Sequence, residues 1–332
     1  MNVKQQVLEL LEQKKGDYIS GSELAGIAGV SRNAVWKAIK SLQEEGYMIR
    51  AITNKGYCLQ QENDILSVQS ISKYLLPELK CLRLEVHKTI DSTNLRAKEY
   101  AAKGEPEGLI VIAEAQTAGR GRMGRSFYSP PVSGVYISFL FRPKFTAQES
   151  LFLTTAAAVA AAETIEETSG QRAEIKWVND VFCRGKKVCG ILTEASVNVE
   201  TNMLEYAVTG IGFNVRELEG GFPEEIREVA GPIFLHEEDY GLAENESEAR
   251  SRIAAGMINH FWKYYEHLTE RTFMTEYRNR SFLLGREIYT LSDPPIYGRA
   301  VDVDEDGHLI LETKDGKQHV LSSGEVSVRP LE

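Results

Sequence analysis

With 332 residues, 42% of them hydrophobic and 26% charged, the chain has room for two or three folded domains of ordinary globular make-up. No apolar run approaches the ~20 residues that span a bilayer, and MNVKQQVLELLEQKKGDYIS carries an amphipathic helical pattern in place of a signal-peptide core, so a cytoplasmic setting without a membrane partner is expected. The net charge of -10 argues against nucleic acid only when taken whole, because Ser31–Lys55 holds five Lys/Arg against two Asp/Glu while acid gathers in HEEDYGLAENESEAR.

Val7, Leu8, Leu10 and Leu11 form a first helical stripe. SGSELAGIAGVSRNAVWKAIKSLQEEGY then reads as two short helices with a tight connection. Ser22 is expected to cap the first and Gly29 to end it. Ser31 is expected to cap the second, with Val35, Ile39 and Leu42 inward. The opposite face presents Arg32, Asn33, Trp36, Lys37 and Lys40. YMIRAITNKGYCLQ follows as two strands about an NKG turn with Lys55 at its tip. Helices followed by such a hairpin make a winged helix-turn-helix over residues 1–63. Its second helix, opened by Ser31, would enter the major groove while Lys55 touches the backbone.

QQENDILS reads as a polar linker or connecting element. Residues 64–283 then alternate between strands and helices. Strands are expected in LRLEVHKTI, GLIVIAEAQT, GVYISFLFRP, AEIKWVNDVFCRGKKVCGILTEAS and LEYAVTGIGFNV, with a long Ala-rich helix in ESLFLTTAAAVAAAETIEETSG. Residues 284–332 carry short strands separated by DPP, DEDG and KDG, the pattern of a small β-barrel. The fold class is therefore multidomain α+β. Cys58, Cys81, Cys183 and Cys189 fit neither a zinc spacing nor a C-x-x-C pair and are expected to be reduced thiols. The six histidines, His87, His236, His260, His267, His308 and His319, form no pattern.

GRGRMGR, residues 119–125, matches the G-x-G-x-x-G of dinucleotide sites. Such a loop must open a helix whose N-terminus meets the phosphates. Here Pro130 and Pro131 forbid that helix, and another strand follows. What remains is a glycine loop with three guanidiniums, Arg120, Arg122 and Arg125, suited to carboxylate and phosphate oxygens.

GRGRMGR together with KWVND (176–180), KKVCGIL (186–192) and GIGFNV (210–215) resembles the biotin protein ligase family. With the DNA-binding segment in front, the chain is similar to the bifunctional type that is both biotin ligase and biotin operon repressor. The resemblance implies a central ligase fold and an SH3-like C-terminal barrel. It also implies a two-step reaction: biotin attacks the α-phosphate of Mg2+-bound ATP to give biotinyl-5'-AMP, and a lysine of a biotin carboxyl carrier protein then takes the acyl group. By the same motifs, Ser92, Thr93, Asn94 and Gln116 would meet the ureido end of biotin, with Gly119, Gly210 and Gly212 lining its pocket. Arg120, Arg122 and Lys187 would lie at the carboxyl end and phosphate. Asp180, Asn179, Arg125, Phe127, Asn214 and, within RELEGGFPEEIREVA, Arg227 would serve the nucleotide. On chemistry alone Lys186 competes with Lys187; only the motif frame favours the latter. Val178 stands where the family commonly has proline, and Phe127 where many members have tryptophan. The implied regulation uses biotinyl-5'-AMP as corepressor, a homodimer and operator DNA. A lipoate-type adenylating ligase and a biotin-sensing regulator without catalysis are the competing readings.

Overall fold

The computed structural model describes residues 2–147, 149–235, 246–322 and 328–330. Most of HEEDYGLAENESEAR, with His236, lies outside the described residues.

Three helices open the chain: α1 (Val3–Gln13), α2 (Gly21–Ala28) and α3 (Arg32–Glu44). Asn2 and Gln5 form a capping box on α1, which satisfies two otherwise orphaned backbone donors. The cap of α2 is Ser20, whose hydroxyl accepts from the Glu23 N–H at 3.0 Å. The expected cap, Ser22, sits inside the helix, because the extended backbone a cap needs occurs at Ser20. Gly29 ends α2 at φ 65, and Ser31 caps α3 through the Ala34 N–H at 3.2 Å, both as expected. Val7, Leu11, Leu24, Val35, Ile39 and Leu42 close the small core, with Ile49 and Leu59 from a hairpin of β1 (Ile49–Ile52) and β2 (Gly56–Leu59). Gly56 at φ +107 lets β2 pass so close to Ile19 that an added Cβ would lie 2.1 Å from its carbonyl oxygen.

The connecting stretch is packed into the molecule. Asn63 accepts from the Met48 N–H at 3.1 Å, and the Leu66 N–H donates to Glu114 at 2.7 Å. Asp64 is clasped by Arg216 and Arg250, so its charge is paired on leaving water. Desolvation still pushes the Asp64 carboxyl above its ordinary value. A short α4 (Val68–Ser72) leads into the central unit.

That unit is a seven-stranded sheet in the order β3-β4-β5-β9-β8-β7-β6. The strands are β3 (Arg83–His87), β4 (Leu109–Ala113), β5 (Gly134–Phe141), β6 (Glu174–Lys176), β7 (Asp180–Cys183), β8 (Lys186–Val197) and β9 (Leu204–Asn214). Only β3 and β4 run parallel; α5 (Thr93–Ala102) joins them across one face. The other face is covered by α6 (Ser150–Ser169), whose Ala156–Ala162 run is buried on every side. Small side chains there let α6 approach the sheet and also α7 (Ala249–Glu266) and α8 (Phe273–Arg280). Phe139, Phe141 and Phe261 interlock in the same core, each side chain worth about 1.5–3 kcal/mol of burial.

The C-terminal segment forms a five-stranded antiparallel sheet, β13-β12-β11-β10-β14. Its strands are β10 (Glu287–Thr290), β11 (Tyr297–Val303), β12 (Leu309–Glu312), β13 (Gln318–Leu321) and β14 (Val328–Pro330). Closure into the expected barrel is not seen: among the described residues β13 and β14 are unpaired edges. The sheet shares the central core through Ile288, Ala300 and Leu311, and Gly307 accepts from the Trp177 indole at 2.9 Å. Among the described residues no helix is long and apolar enough to cross a membrane.

Candidate active site

A cavity of about 1040 Å³ opens over β8 and β9, walled by the N-terminus of α5, the glycine-arginine loop and residues 222–230. Its floor is glycine. Gly190 faces Gly212 across the β8–β9 ladder, and Gly210 faces Leu192. Without side chains there the strands leave a trough. A Cβ on Gly210 would stand 2.0 Å from Asn94 Oδ1, and one on Gly212 2.5 Å from Phe127 Cε1. The Phe127 ring thus lies across the two facing glycines, edge-on to Tyr136 at 6.2 Å.

One end of the trough is neutral and polar. Ser92 caps α5, its oxygen accepting from the Leu95 N–H at 3.4 Å. Gln116 Oε1 accepts from the Thr93 N–H at 2.8 Å and its hydroxyl at 3.1 Å, while Gln116 Nε2 donates to Ser129 at 3.0 Å. Beneath them the buried Ser138 hydroxyl lies 2.8 Å from Thr93 Oγ1 and 2.6 Å from Asn94 Oδ1. Such donors and acceptors, fixed before a ligand arrives, suit a neutral polar ring.

The other end is cationic. Lys187 Nζ lies 2.6 Å from Asp180 Oδ1. Arg122 donates to Asn179 Oδ1 at 3.1 Å, and Asn179 is itself anchored on the Ile191 carbonyl at 2.8 Å. Burial lowers the Arg122 guanidinium from its usual value, and the Asp180 charge acts in the opposite direction. Strand alternation separates the two candidate lysines. Lys187 lines the cavity, whereas Lys186 turns away to donate to the Glu228 carbonyl at 2.7 Å.

Ser92, Thr93, Asn94, Gln116, Gly119, Arg120, Arg122, Arg125, Phe127, Asn179, Asp180, Lys187, Gly210, Gly212 and Asn214 therefore all converge on one cavity, from positions 92 to 214. Arg227 does not. It is exposed, and its Nε donates to the Phe222 carbonyl at 3.3 Å, while Phe222, Ile226 and Val229 of the same segment face the cavity. The loop itself makes a single turn at Arg122–Gly124, with Met123 at φ 56, and no α-helix follows it. That geometry offers no helix N-terminus to a dinucleotide. Ser129 and Gly190 also line the cavity, and Ser138 supports its polar end; the sequence reading passed over all three. Gly190 lay within KKVCGIL, but nothing local marks Ser138 among the apolar residues of β5.

On the N-terminal unit, Ser31, Arg32, Asn33, Trp36, Lys37 and Lys40 all lie on exposed positions of α3 or its cap, and Lys55 is exposed at the hairpin tip. None of them is needed for the core, which uses the other face of α3.

Comparison with known proteins matches residues 86–214 to the biotin/lipoate A/B protein ligase family, 3–58 to an HTH domain and 283–329 to the biotin protein ligase C-terminal domain. The bifunctional ligase/repressor BirA of Bacillus subtilis (strain 168) is 34% identical over 330 residues, covering 97% of each chain. Its Escherichia coli (strain K12) counterpart is 28% identical, covering 96% of this chain and 95% of that one. The solved biotin protein ligase from Aquifex aeolicus in complex with biotin and ATP superposes with a TM-score of 0.60 at 30% identity, covering 75% of this chain and 99% of that one. With the glycine trough, the Lys187–Asp180 pair and a full-length relative all in agreement, the chain belongs to the biotin/lipoate protein ligase family, in the two-function form that carries an N-terminal HTH domain.

Proposed function

We propose that the chain joins biotin to a lysine of a biotin carboxyl carrier protein through biotinyl-5'-AMP, and that its N-terminal unit binds operator DNA to repress genes of biotin supply. One observation carries the ligase reading: a single trough has a neutral polar end at Thr93 and Gln116 and a cationic end at Lys187 and Arg122. A urea ring needs fixed donors and acceptors, and a carboxylate approaching a phosphate needs positive charge; the two ends supply these in turn.

Biotin then lies along Gly190, Gly210 and Gly212, with its ring at Ser92, Thr93, Asn94 and Gln116. Its carboxylate oxygen attacks the α-phosphorus of ATP, the bond to the leaving oxygen breaks, and pyrophosphate departs. Lys187 and Arg122 hold the charge that develops on carboxyl and phosphoryl oxygens. Asp180 orients Lys187 at 2.6 Å, and its carboxylate would support the Mg2+ that enters with ATP. Bound there with ATP, such an ion would offset phosphate charge. Gly119, Arg120, Arg125 and Phe127 cover the reacting groups, so the mixed anhydride is kept from water. Asn179 and Asn214 serve the nucleotide side. Arg227 joins them only if 222–230 rearranges. In the second step a neutral lysine amine of the carrier attacks the acyl carbon, AMP leaves, and the amine loses its proton.

Support for the repressor half comes from the exposed basic face of α3, with the hairpin placed as a wing, and from the HTH match over 3–58. In this reading biotinyl-5'-AMP is the corepressor and favours a homodimer whose two α3 helices enter successive major grooves. The accompanying division is 1–63, 64–283 and 284–332, with the last an SH3-like unit. Sedimentation showing the same monomer fraction with and without adenylate would count against the dimer.

The test of the ligase half is the intact mass of an isolated carrier domain incubated with the protein, Mg2+, ATP and biotin. One biotin increment is expected. An increment with lipoate instead would move the assignment to lipoate, and no increment with either would leave a sensor without catalysis.

A further inference from the structure

Glu194 lies on β8 two residues beyond the cavity-lining Leu192 and is not itself among the lining residues. Three groups nevertheless converge on it. Lys98 Nζ stands 2.9 Å from its Oε1, Asn94 Nδ2 donates to its Oε2 at 3.0 Å, and Arg120 Nη1 is 4.0 Å away. Asn94 and Lys98 are one helical turn apart on α5, so the carboxylate gathers two donors from one helix face. These donors hold the Glu194 carboxyl below its usual range against the opposing effect of burial.

The consequence falls on the buried amide of Asn94. A carboxamide has a donor end and an acceptor end of nearly equal shape, and only its neighbours choose between them. Reversed, Asn94 would aim its oxygen at the Glu194 carboxylate and the Leu192 carbonyl, two acceptors. Held as it is, Oδ1 faces Ser138 at 2.6 Å and takes that hydroxyl's single proton. Ser138 then cannot donate to Thr93 Oγ1, 2.8 Å away, and Thr93 keeps a lone pair free of it. The sense of a buried network is thus set from its outer end.

We infer that Glu194 is a positioning residue for recognition of the biotin ring: by fixing Asn94 it draws the Ser138 proton away and leaves the Thr93 oxygen, whose own proton goes to Gln116, fully open as an acceptor for a ring N–H. This rests on the ligase reading above. The chemistry selected is a cyclic urea, with two N–H donors beside one carbonyl.

The test is steady-state biotinylation by the full-length protein, wild type against Glu194→Gln, Glu194→Ala and Glu194→Met. Gln keeps an acceptor oxygen; Ala has no acceptor and Met only a weakly accepting thioether. Biotin KM is expected to rise roughly tenfold in Ala and Met, with kcat and the KM for ATP changed by less than about twofold, and Gln to recover most of the loss. An unchanged biotin KM in Ala and Met would overturn the inference. So would parallel losses in kcat and both KM values, which mark a merely structural residue. Met keeps the length of the side chain and serves in place of Ala should that variant not fold. A wild-type protein that leaves the carrier unmodified refutes the ligase reading itself, whatever the variants do.

Discussion

Replacing Gly210 by alanine perturbs the floor of the trough at one methyl. Gly→Ala in ordered backbone commonly stabilises by about 0.4–1 kcal/mol through the unfolded chain. Here the added Cβ would lie 2.0 Å from Asn94 Oδ1 and 2.8 Å from its Cγ. Asn94 is only 5% exposed and is held at both ends, by Ser138 at 2.6 Å and by Glu194 at 3.0 Å. It cannot move without losing those bonds, so overpacking and lost hydrogen bonds dominate, leaving a net loss of about 1–3 kcal/mol. For a domain of this size that is a fall of about 2–12 °C in Tm. Gly212→Ala is the matched control. Its Cβ would meet the Phe127 ring at 2.5 Å, but that half-buried ring stands on a loop open to the cavity and can swing aside, so a cost under about 1 kcal/mol is expected. Thermal unfolding should follow the transition that biotin shifts upward, since several units need not melt together. Gly210→Ala melting at or above wild type, or the two variants falling equally, would refute the reasoning.

Lys187→Ala should lower kcat by roughly 10²–10³-fold with little effect on the melting temperature, read by single-turnover adenylate formation. Glu12, on α1 against Lys15, Lys73 and Glu248, is raised to about 7, first by desolvation, and its Oε1 lacks a hydrogen-bond partner. The folded state holds this proton more tightly than the unfolded one, so the contribution of Glu12 to stability is fully present below pH 4.5 and is lost as pH rises through about 7, by on the order of 3 kcal/mol. Burial also lowers the neighbouring Lys15, and the Tm advantage of Glu12→Gln over wild type, measured from pH 5 to pH 8, is expected to widen as pH rises. Arg32→Ala should weaken DNA binding and reduce the log–log salt slope by about one, while biotinylation rates stay unchanged.

Local signals made the element order and most of the site legible. The caps at Ser31 and Gly29 and the α3 stripe are set by residues within a turn of one another. The prolines after GRGRMGR exclude a phosphate-binding helix, and the loop makes one short turn. Ser22 misled because Ser20, Gly21 and Ser22 all have residue types that suit a helix start, and only backbone geometry selects Ser20 as the cap. Alternation and turn residues specify the strands of the C-terminal segment but not whether the last edges meet, and among the described residues those edges stay unpaired. QQENDILS reads as a polar linker because the partners of its Asp64, Arg216 and Arg250, lie far away in sequence. The same distance effect hid Ser138 and Glu194, whose roles arise only when α5, β5 and β8 are packed together. Lys186 and Lys187 could not be told apart by charge, whereas the strand's alternation separates them at once.

The most direct measurement of the central claim is pyrophosphate exchange into ATP without any acceptor protein. Labelled pyrophosphate should enter ATP only when biotin is present, and the exchange should collapse in Lys187→Ala, because the trough forms the adenylate unaided. Exchange that proceeds without biotin, or equally well with lipoate, would contradict the assignment of the polar end to the biotin ring.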